Sequence, residues 1–486
     1  MTLASGGAIN GAVARSSSEV HEMGVREAAI AIGDGSITSE LYATKLLQRA
    51  RDHADLDAFI SIDEASVLQA ARTADKDRAA GRKSPILGVP LAVKDIYFTK
   101  GIRTTFGTAV LNKFVPDQDA PVIKSVKDAG GVVFGKNNLV EMSFGLTGNN
   151  AHYGQAKNPY NKAHVTGGSS SGAGVSVAAR LVPAALGGDT IGSIRVPASL
   201  CGVVGFKPTQ GRWSSDLIAP AANTLDTAGV LARSVGDCAL IDAVVTKASL
   251  PTQIPQAGLK GIKLGYAPRQ HLDVIDADVE KLFRETLTKL KDAGAEILEV
   301  DLGQDFSAIA ERSTFGIFFH ETKPSVSEFL KANNVPVTFE QIYEDLAPEI
   351  KGGWQLYVLP TGEKYFNEEA YQGFMTRDRP ELKRRYAKAF SQVDALIFPT
   401  TPCTAPRIDT QWEFPVGGKP ASYLILAKNT FASSCASLPG ISIPMGLTAS
   451  NLPAGLEIDA GTGRDANLLE IAQRIEAVVG SIPGPR

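Results

Sequence analysis

The chain has 486 residues, 44% of them hydrophobic and 21% charged, with a formal net charge of -3. That much apolar material supports a large packed core and excludes an intrinsically disordered chain. The slight negative balance removes the electrostatic basis for binding nucleic acid or an anionic membrane surface. Residues 1–18 are mostly small or polar, as in Ser5-Gly6-Gly7 and Ser16-Ser17-Ser18, and are expected to form a disordered tail ahead of one domain over residues 19–486. From residue 20 to residue 82 the pattern is helical. Asp34-Gly35 makes a turn, Thr38 is placed to cap a helix, and Tyr42, Leu46 and Ala50 share one apolar face. Alanine-rich residues 65–80 predict a second helix. Val89, Leu91 and Val93 then alternate with Pro90, Ala92 and Lys94, the period of two of a strand. Residues 120–129 predict a short helix, and Val132-Val133-Phe134 the next strand.

Residues 171–180 are almost all Ala, Gly, Val and Ser, which suits a helix packed tightly on a sheet. A short strand is expected over residues 181–186, although Pro183 fits it poorly. Strand and helix keep alternating through residues 262–266, 279–293 and 296–300, an α/β layout around a parallel or mixed sheet. Residues 303–380 are helical and rich in aromatics, among them Phe315, Phe318, Phe319, Trp354 and Tyr357. They predict a cap-like insertion whose rings either fill its own core or line a substrate pocket. Strands return at residues 395–398 and 441–443, and a helix over residues 466–479 closes the chain. Cys201, Cys238, Cys403 and Cys435 form no C-x-x-C pair, so structural zinc is not expected and a reduced, cytoplasmic setting is. No apolar run is long enough to span a bilayer.

The chemistry concentrates in Gly167-Gly168-Ser169-Ser170-Ser171-Gly172 and Gly188-Asp189-Thr190-Ile191-Gly192-Ser193-Ile194-Arg195. Ser193 follows a short strand beside Gly192, where the amides of Thr190, Ile191, Gly192 and Ser193 could converge on an oxyanion, each worth roughly 3 to 4 kcal/mol in a dry site. The same residues also read as a serine in a tight turn, and Ser169 and Ser170 as loop or capping residues. Gly168-Ser169-Ser170-Ser171-Gly172 satisfies G-x-S-x-G, the nucleophile elbow, with Ser170 attacking. That reading needs an acid and then a histidine downstream. His271 and His320 lie in no polar loop that suggests a triad, and His164 precedes the serine. A phosphate cradle would need a lysine where Ser171-Gly172-Ala173 has none. If the serines react, Lys94 is the leading base.

The run from Gly167 to Thr209, closed by Gly202-Val203-Val204-Gly205-Phe206-Lys207-Pro208-Thr209, resembles the signature of the amidase signature family. Gly88-Val89-Pro90-Leu91-Ala92-Val93-Lys94-Asp95 is similar to that family's lysine strand, and Gly135-Lys136-Asn137-Asn138 with Glu141-Met142-Ser143-Phe144-Gly145 to its next block. Phe398-Pro399-Thr400-Thr401-Pro402 and Leu438-Pro439-Gly440-Ile441-Ser442-Ile443-Pro444 resemble its C-terminal half. The resemblance implies an α/β amidase signature fold, a central mixed β-sheet flanked by helices on both faces. It implies a Ser-Ser-Lys triad, with Ser193 as nucleophile, Ser169 as a bridging serine held by a cis peptide, and Lys94 as base. It further implies an oxyanion hole at residues 190–193, substrate contacts at Met142, Ser143 and Gly145, and no metal or cofactor. Where the family commonly has two glycines before the nucleophile, this chain has Ile191-Gly192, which keeps the backbone donors and narrows one wall of the acyl pocket. Asp189 and Arg195 read as a structural pair beneath the loop.

Asn223-Thr224-Leu225-Asp226-Thr227-Ala228-Gly229 and Leu456-Glu457-Ile458-Asp459 look closer to bacterial indoleacetamide and mandelamide hydrolases than to the tRNA-linked amidotransferase subunit. The expected partner is a small aryl-containing amide, anilide or carbamate, with room left for a homodimer. The alternative is the amidase subunit of a glutamine-dependent amidotransferase, which would need a partner protein.

Overall fold

A computed structural model of the protein describes residues 20–249 and 258–485. The expected tail over residues 1–18 lies outside the described residues. An eleven-stranded mixed sheet runs through the molecule. Its strands are β1 (Phe59–Ser61), β2 (Pro90–Lys94), β3 (Val132–Asn137), β4 (Ala184–Asp189), β5 (Val204–Lys207), β6 (Thr227–Ala232), β7 (Lys263–Tyr266), β8 (Glu296–Glu299), β9 (Ala395–Pro399), β12 (Gly440–Leu447) and β13 (Pro453–Asp459). The remaining two, β10 (Glu413–Val416) and β11 (Lys419–Ser422), form a separate hairpin. The spatial order is β1-β3-β2-β4-β6-β5-β12-β13-β9-β7-β8. Parallel pairing holds for β2 with β3 and β4, and for β7 with β8 and β9, while the other neighbours are antiparallel. One continuous cluster of buried apolar side chains reaches from Val20 to Ile475 and takes in Phe306, Ile317 and Trp354 of the aromatic-rich segment.

Thr38 caps the helix Ser39–Asp52, its hydroxyl accepting from the Leu41 amide at 3.0 Å, as its position predicted. Two strand expectations change. All five residues of β2 are buried, so the alternation of residues 89–94 does not mark a wet face. The strand sits inside the sheet between β3 and β4, with the helix Ser171–Ala178 packed against it, and Lys94 is buried with the rest. The strand expected over residues 181–186 begins later, at Ala184, because Pro183 has no amide to offer a ladder. It then continues through Gly187 and Gly188 to Asp189, paired with β6.

The helix Ser171–Ala178 is buried on every side, which its small residues make possible. A Cβ at Gly172 would stand 2.2 Å from the Ala58 carbonyl oxygen and 2.6 Å from the Asn138 amide, so only glycine lets the helix come this close to its neighbours. That approach brings the serine-rich loop against the ends of β2 and β4. Because β2 and β4 are parallel, Lys94 and Asp189 finish at the same edge, and antiparallel β6 starts there at Thr227. In open α/β sheets this edge, at the carboxyl ends of parallel strands, is where ligands bind.

Candidate active site

Lys94, the last residue of β2, is fully buried and donates from Nζ to Ser169 Oγ at 2.7 Å. Burial removes the water that would solvate an ammonium and pulls the Lys94 pKa down to about 7, against the opposing pull of the Asp226 and Asp189 carboxylates. At neutral pH a large share of the side chain is therefore an unprotonated amine. The peptide between Gly168 and Ser169 is cis, as the family resemblance implied. Ser193 is buried in the loop between β4 and the helix Arg195–Cys201, and its carbonyl accepts from the Ser170 amide at 3.1 Å, tying the two serine segments together. Ser170 is differently occupied. Its hydroxyl donates to the Gly188 carbonyl at 3.0 Å and accepts from the Gly188 amide at 3.2 Å, so it staples the loop to β4.

Among the described residues, none of the amides of Thr190, Ile191, Gly192 and Ser193 donates a hydrogen bond within the chain. Buried amides are normally paired, so four consecutive free donors beside a serine form a ready anion site. The loop is held by its carbonyls and side chains instead. Thr430 Oγ1 donates to the Ile191 carbonyl at 2.6 Å, and the Gly192 carbonyl accepts from the Val196 amide at 2.7 Å. Gly192 has φ +142°, and a Cβ there would lie 2.3 Å from Thr430 Oγ1. Glycine is the residue this turn requires.

Beneath the loop, fully buried Arg195 binds Asp189 through Nε at 3.0 Å and Glu457 through a terminal nitrogen at 2.9 Å. It also donates to the Thr430 carbonyl and to the hydroxyls of Ser433 and Ser434. Burial by itself would push the Asp189 carboxyl up, and the Arg195 guanidinium overrides it and holds the group below its usual value. The Asp189–Arg195 pair is thus a buried support for the loop, as its placement suggested. Asp226, which the sequence shows only as part of a longer segment, joins the site from the start of β6. Its carboxylate accepts from Thr190 Oγ1 at 2.6 Å and from the Ala221 and Ala222 amides at 2.8 and 3.0 Å. Burial raises its pKa to about 6 in spite of those donors. A lone acid between two apolar runs is the signal for it. Thr430 carries no comparable signal, since it lies 239 residues from the carbonyl it binds.

Two cavities meet at this point, with Ser143 and Thr190 in the walls of both. The first, about 40 Å³, has Ser193, Ile191, Phe144, Phe318 and Phe319 in its wall, and Gly145 lines it as well. Phe144 stacks on Phe318 with centroids 5.0 Å apart, and Phe319 on Tyr357 at 4.6 Å. Through Phe319, Tyr357 and Leu424 this neck adjoins a larger cavity of about 670 Å³, whose wall mixes apolar side chains with Asp273, Glu311, Arg312 and Lys428. The second, about 500 Å³, has Lys94 and Asp226 in its wall. Ser143 is buried with its hydroxyl unpartnered, and Met142 lines neither of the two cavities. Of the aromatics in residues 303–380, Phe318, Phe319 and Tyr357 face the site while Trp354 is fully buried against Phe339. His271 stacks on Phe398 and burial lowers its pKa to about 3, and His320 binds the Phe366 carbonyl. Neither lines the two cavities, nor does His164. All four cysteines are free and buried, and among the described residues no group of three or more His, Cys, Asp or Glu is placed to hold a metal ion.

Residues 42–469 match the family model described as Amidase. The chain belongs to the amidase family. Mandelamide hydrolase of Pseudomonas putida is 36% identical to this amidase over 480 residues, which cover 96% of this chain and 93% of the relative. A glutamyl-tRNA(Gln) amidotransferase subunit of Desulforapulum autotrophicum is 34% identical, covering 96% of this chain and 99% of the relative. Among solved structures, the native peptide amidase of Stenotrophomonas maltophilia superposes with a TM-score of 0.79 at 29% identity, over 96% of this chain and 98% of that one. The amidase is accordingly a hydrolase acting on carbon–nitrogen bonds and has the α/β fold of the family. Among its described residues, no helix is long and apolar enough to cross a membrane.

Proposed function

We propose that this amidase cleaves small aryl-containing amides, with anilides and carbamates in the same class, through an acyl-enzyme on Ser193. The observation that carries the reading is the 2.7 Å bond from buried Lys94 to Ser169, beside four amides with no internal partner. In this mechanism the neutral Lys94 amine takes the Ser169 proton as Ser169 takes that of Ser193. Ser193 Oγ attacks the carbonyl carbon, and the displaced electron pair rests on the carbonyl oxygen facing the amides of residues 190–193. As the C–N bond breaks, the proton returns from Lys94 through Ser169 to the leaving nitrogen. Water then repeats the cycle on the ester, freeing the acid and restoring Ser193.

The wall of the Ser193 cavity contains aromatic and apolar side chains and no charged one. It suits an aryl acyl group and has no cation for the α-carboxylate of glutamine, which favours a stand-alone hydrolase over an amidotransferase subunit. Ser143 and Gly145 would contact the acyl half, Gly145 by its open backbone and Ser143 by its free hydroxyl. In this reading Ser170 is structural, because its hydroxyl donates its proton to the Gly188 carbonyl and accepts from the Gly188 amide.

A fluorophosphonate probe followed by peptide mass spectrometry tests the assignment, together with hydrolysis of aryl amides by the purified chain alone. Label is expected on Ser193, absent in Ser193→Ala, slowed in Ser169→Ala and little changed in Ser170→Ala. Label on Ser170, with Ser193→Ala still turning over, would overturn the mechanism. Hydrolysis that requires an added partner protein would favour the amidotransferase reading.

A further inference from the structure

The second cavity, on the lysine side of the site, is far larger than a primary amide needs. Ammonia occupies about the space of one water, roughly 30 Å³, whereas this cavity encloses about 500 Å³. Its position relative to the chemistry follows from the proposed mechanism, on which this inference rests. The attacking serine is in the wall of the aromatic neck, and Lys94, which returns the proton to the leaving nitrogen through Ser169, is in the wall of the 500 Å³ cavity. The acyl group and the amine therefore lie in different chambers, with Ser143 and Thr190 at the waist between them.

The amine chamber has its own chemistry. Ile96, Leu217, Ile218 and Phe329 give it apolar walls, while Asp226 lies buried inside and Asp216 and Glu328 are exposed residues of its lining. Neither Asp216 nor Glu328 forms an ion pair with another described residue. The only basic residue in the lining is Lys94, which is engaged with Ser169. Ser143, more than nine-tenths buried, adds a hydroxyl without a partner to the wall. Apolar sides and unneutralised carboxylates match an alkyl amine with a distal positive charge.

We propose that the substrates of this enzyme are N-substituted aryl amides whose amine half is an alkyl chain ending in a cationic group, seated in the chamber lined by Asp216, Asp226 and Glu328. The amide nitrogen lies at Lys94 and Ser169, the alkyl segment lies along Ile218 and Phe329, and the cation faces Asp216 and Glu328. The leaving group is then a diamine, protonated on departure, and the same carboxylates favour its charged form.

The test holds the acyl group constant and varies the amine. Phenylacetate release is measured by chromatography from phenylacetamide, its N-butyl derivative, its N-(4-aminobutyl) derivative and its N-(3-carboxypropyl) derivative. At low ionic strength kcat/KM for the aminobutyl amide is expected to exceed that for the butyl amide by about tenfold, since each exposed charge pair contributes up to roughly fivefold. The carboxypropyl amide should fall below the butyl one, and 0.5 M NaCl should compress the series. Asp216→Asn combined with Glu328→Gln should bring the aminobutyl-to-butyl ratio close to one, a ratio insensitive to any general loss of stability. An aminobutyl-to-butyl ratio of one or below in the wild type, or one that survives the double substitution, refutes the cation chamber. Cleavage of phenylacetamide alone also refutes it while leaving the serine mechanism in place, whereas failure on all four amides and on the fluorophosphonate removes both.

Discussion

Replacing Lys94 by methionine should abolish turnover and at the same time make the protein more stable, by an amount that depends on pH. The lysine is fully buried and its pKa falls from 10.5 to about 7, mainly through lost hydration. In the unfolded chain the group keeps its proton up to pH 10.5, and in the native state only up to about 7. Below pH 7 folding therefore bears the whole difference, on the order of 5 kcal/mol at about 1.4 kcal/mol per pH unit. The burden shrinks as pH rises through the window from 7 to 10.5, to roughly 2 kcal/mol at pH 9. Methionine fills a similar shape without a charge, and the lost bond to Ser169 gives back about 1 kcal/mol. For a chain of this size the unfolding entropy near the midpoint is about 1 kcal/mol/K. Lys94→Met should then melt about 4 °C above wild type at pH 6 and about 1 °C above it at pH 9. Differential scanning fluorimetry at a fixed scan rate in both buffers reads this directly, and phenylacetamide hydrolysis should fall at least 100-fold. A variant that melts below wild type at pH 6, or whose gain is the same at both pH values, would mean that Lys94 is not the desolvated amine described here.

The acidic limb of kcat/KM should rise about tenfold per pH unit and level off near pH 7, as Lys94 loses its proton, and a flat profile between pH 5 and 7 would count against the lysine base. Gly192→Ala should lower kcat by about 10²-fold or more, because the new Cβ would meet Thr430 Oγ1 at 2.3 Å and displace the amides of residues 190–193. Steady-state kinetics on phenylacetamide check this, and an unchanged kcat would show that those amides do not bind the oxyanion. Arg195→Met should cost about 3 to 5 kcal/mol of stability, since it strands Asp189 and Glu457 without their shared cation. Urea titration measures the loss, and a shift of under about 1 kcal/mol would remove Arg195 from its structural role.

How much of this was legible in the sequence varied with burial. The helix Ser39–Asp52 has one dry face and one wet one, and residues 42, 46 and 50 announced it. Strands β5 and β6 are buried along their whole length, so neither Val204–Lys207 nor Thr227–Ala232 shows an alternation to detect. The helix Val235–Thr246 is buried on most of its surface and loses its amphipathic stripe for the same reason. At the site, the serines and Lys94 stood out through motifs that resemble a known family. The residues that hold them did not, because Thr430 and Glu457 reach Ile191 and Arg195 only once the sheet has closed. Phe318 and Trp354 look alike as text. One faces Ser193 and the other fills the core; both pack against Phe144, and Trp354 stacks on Phe339 as well.

Arg195 also sets the order in which the enzyme can come into being during synthesis. Its partners at Ser433, Ser434 and Glu457 lie 238, 239 and 262 residues further along the chain. A ribosome that has released β2, β4 and β6 has already made Lys94, Ser169, Ser193 and Asp226, yet the clamp beneath the serine loop is still untranslated. β12 and β13 must enter between β5 and β9 before Glu457 reaches the guanidinium. Contacts this distant in sequence form late and slowly. The nascent chain therefore carries the proposed triad of Lys94, Ser169 and Ser193 before the buried support of its loop exists, and that support is complete only with the last strands to be made.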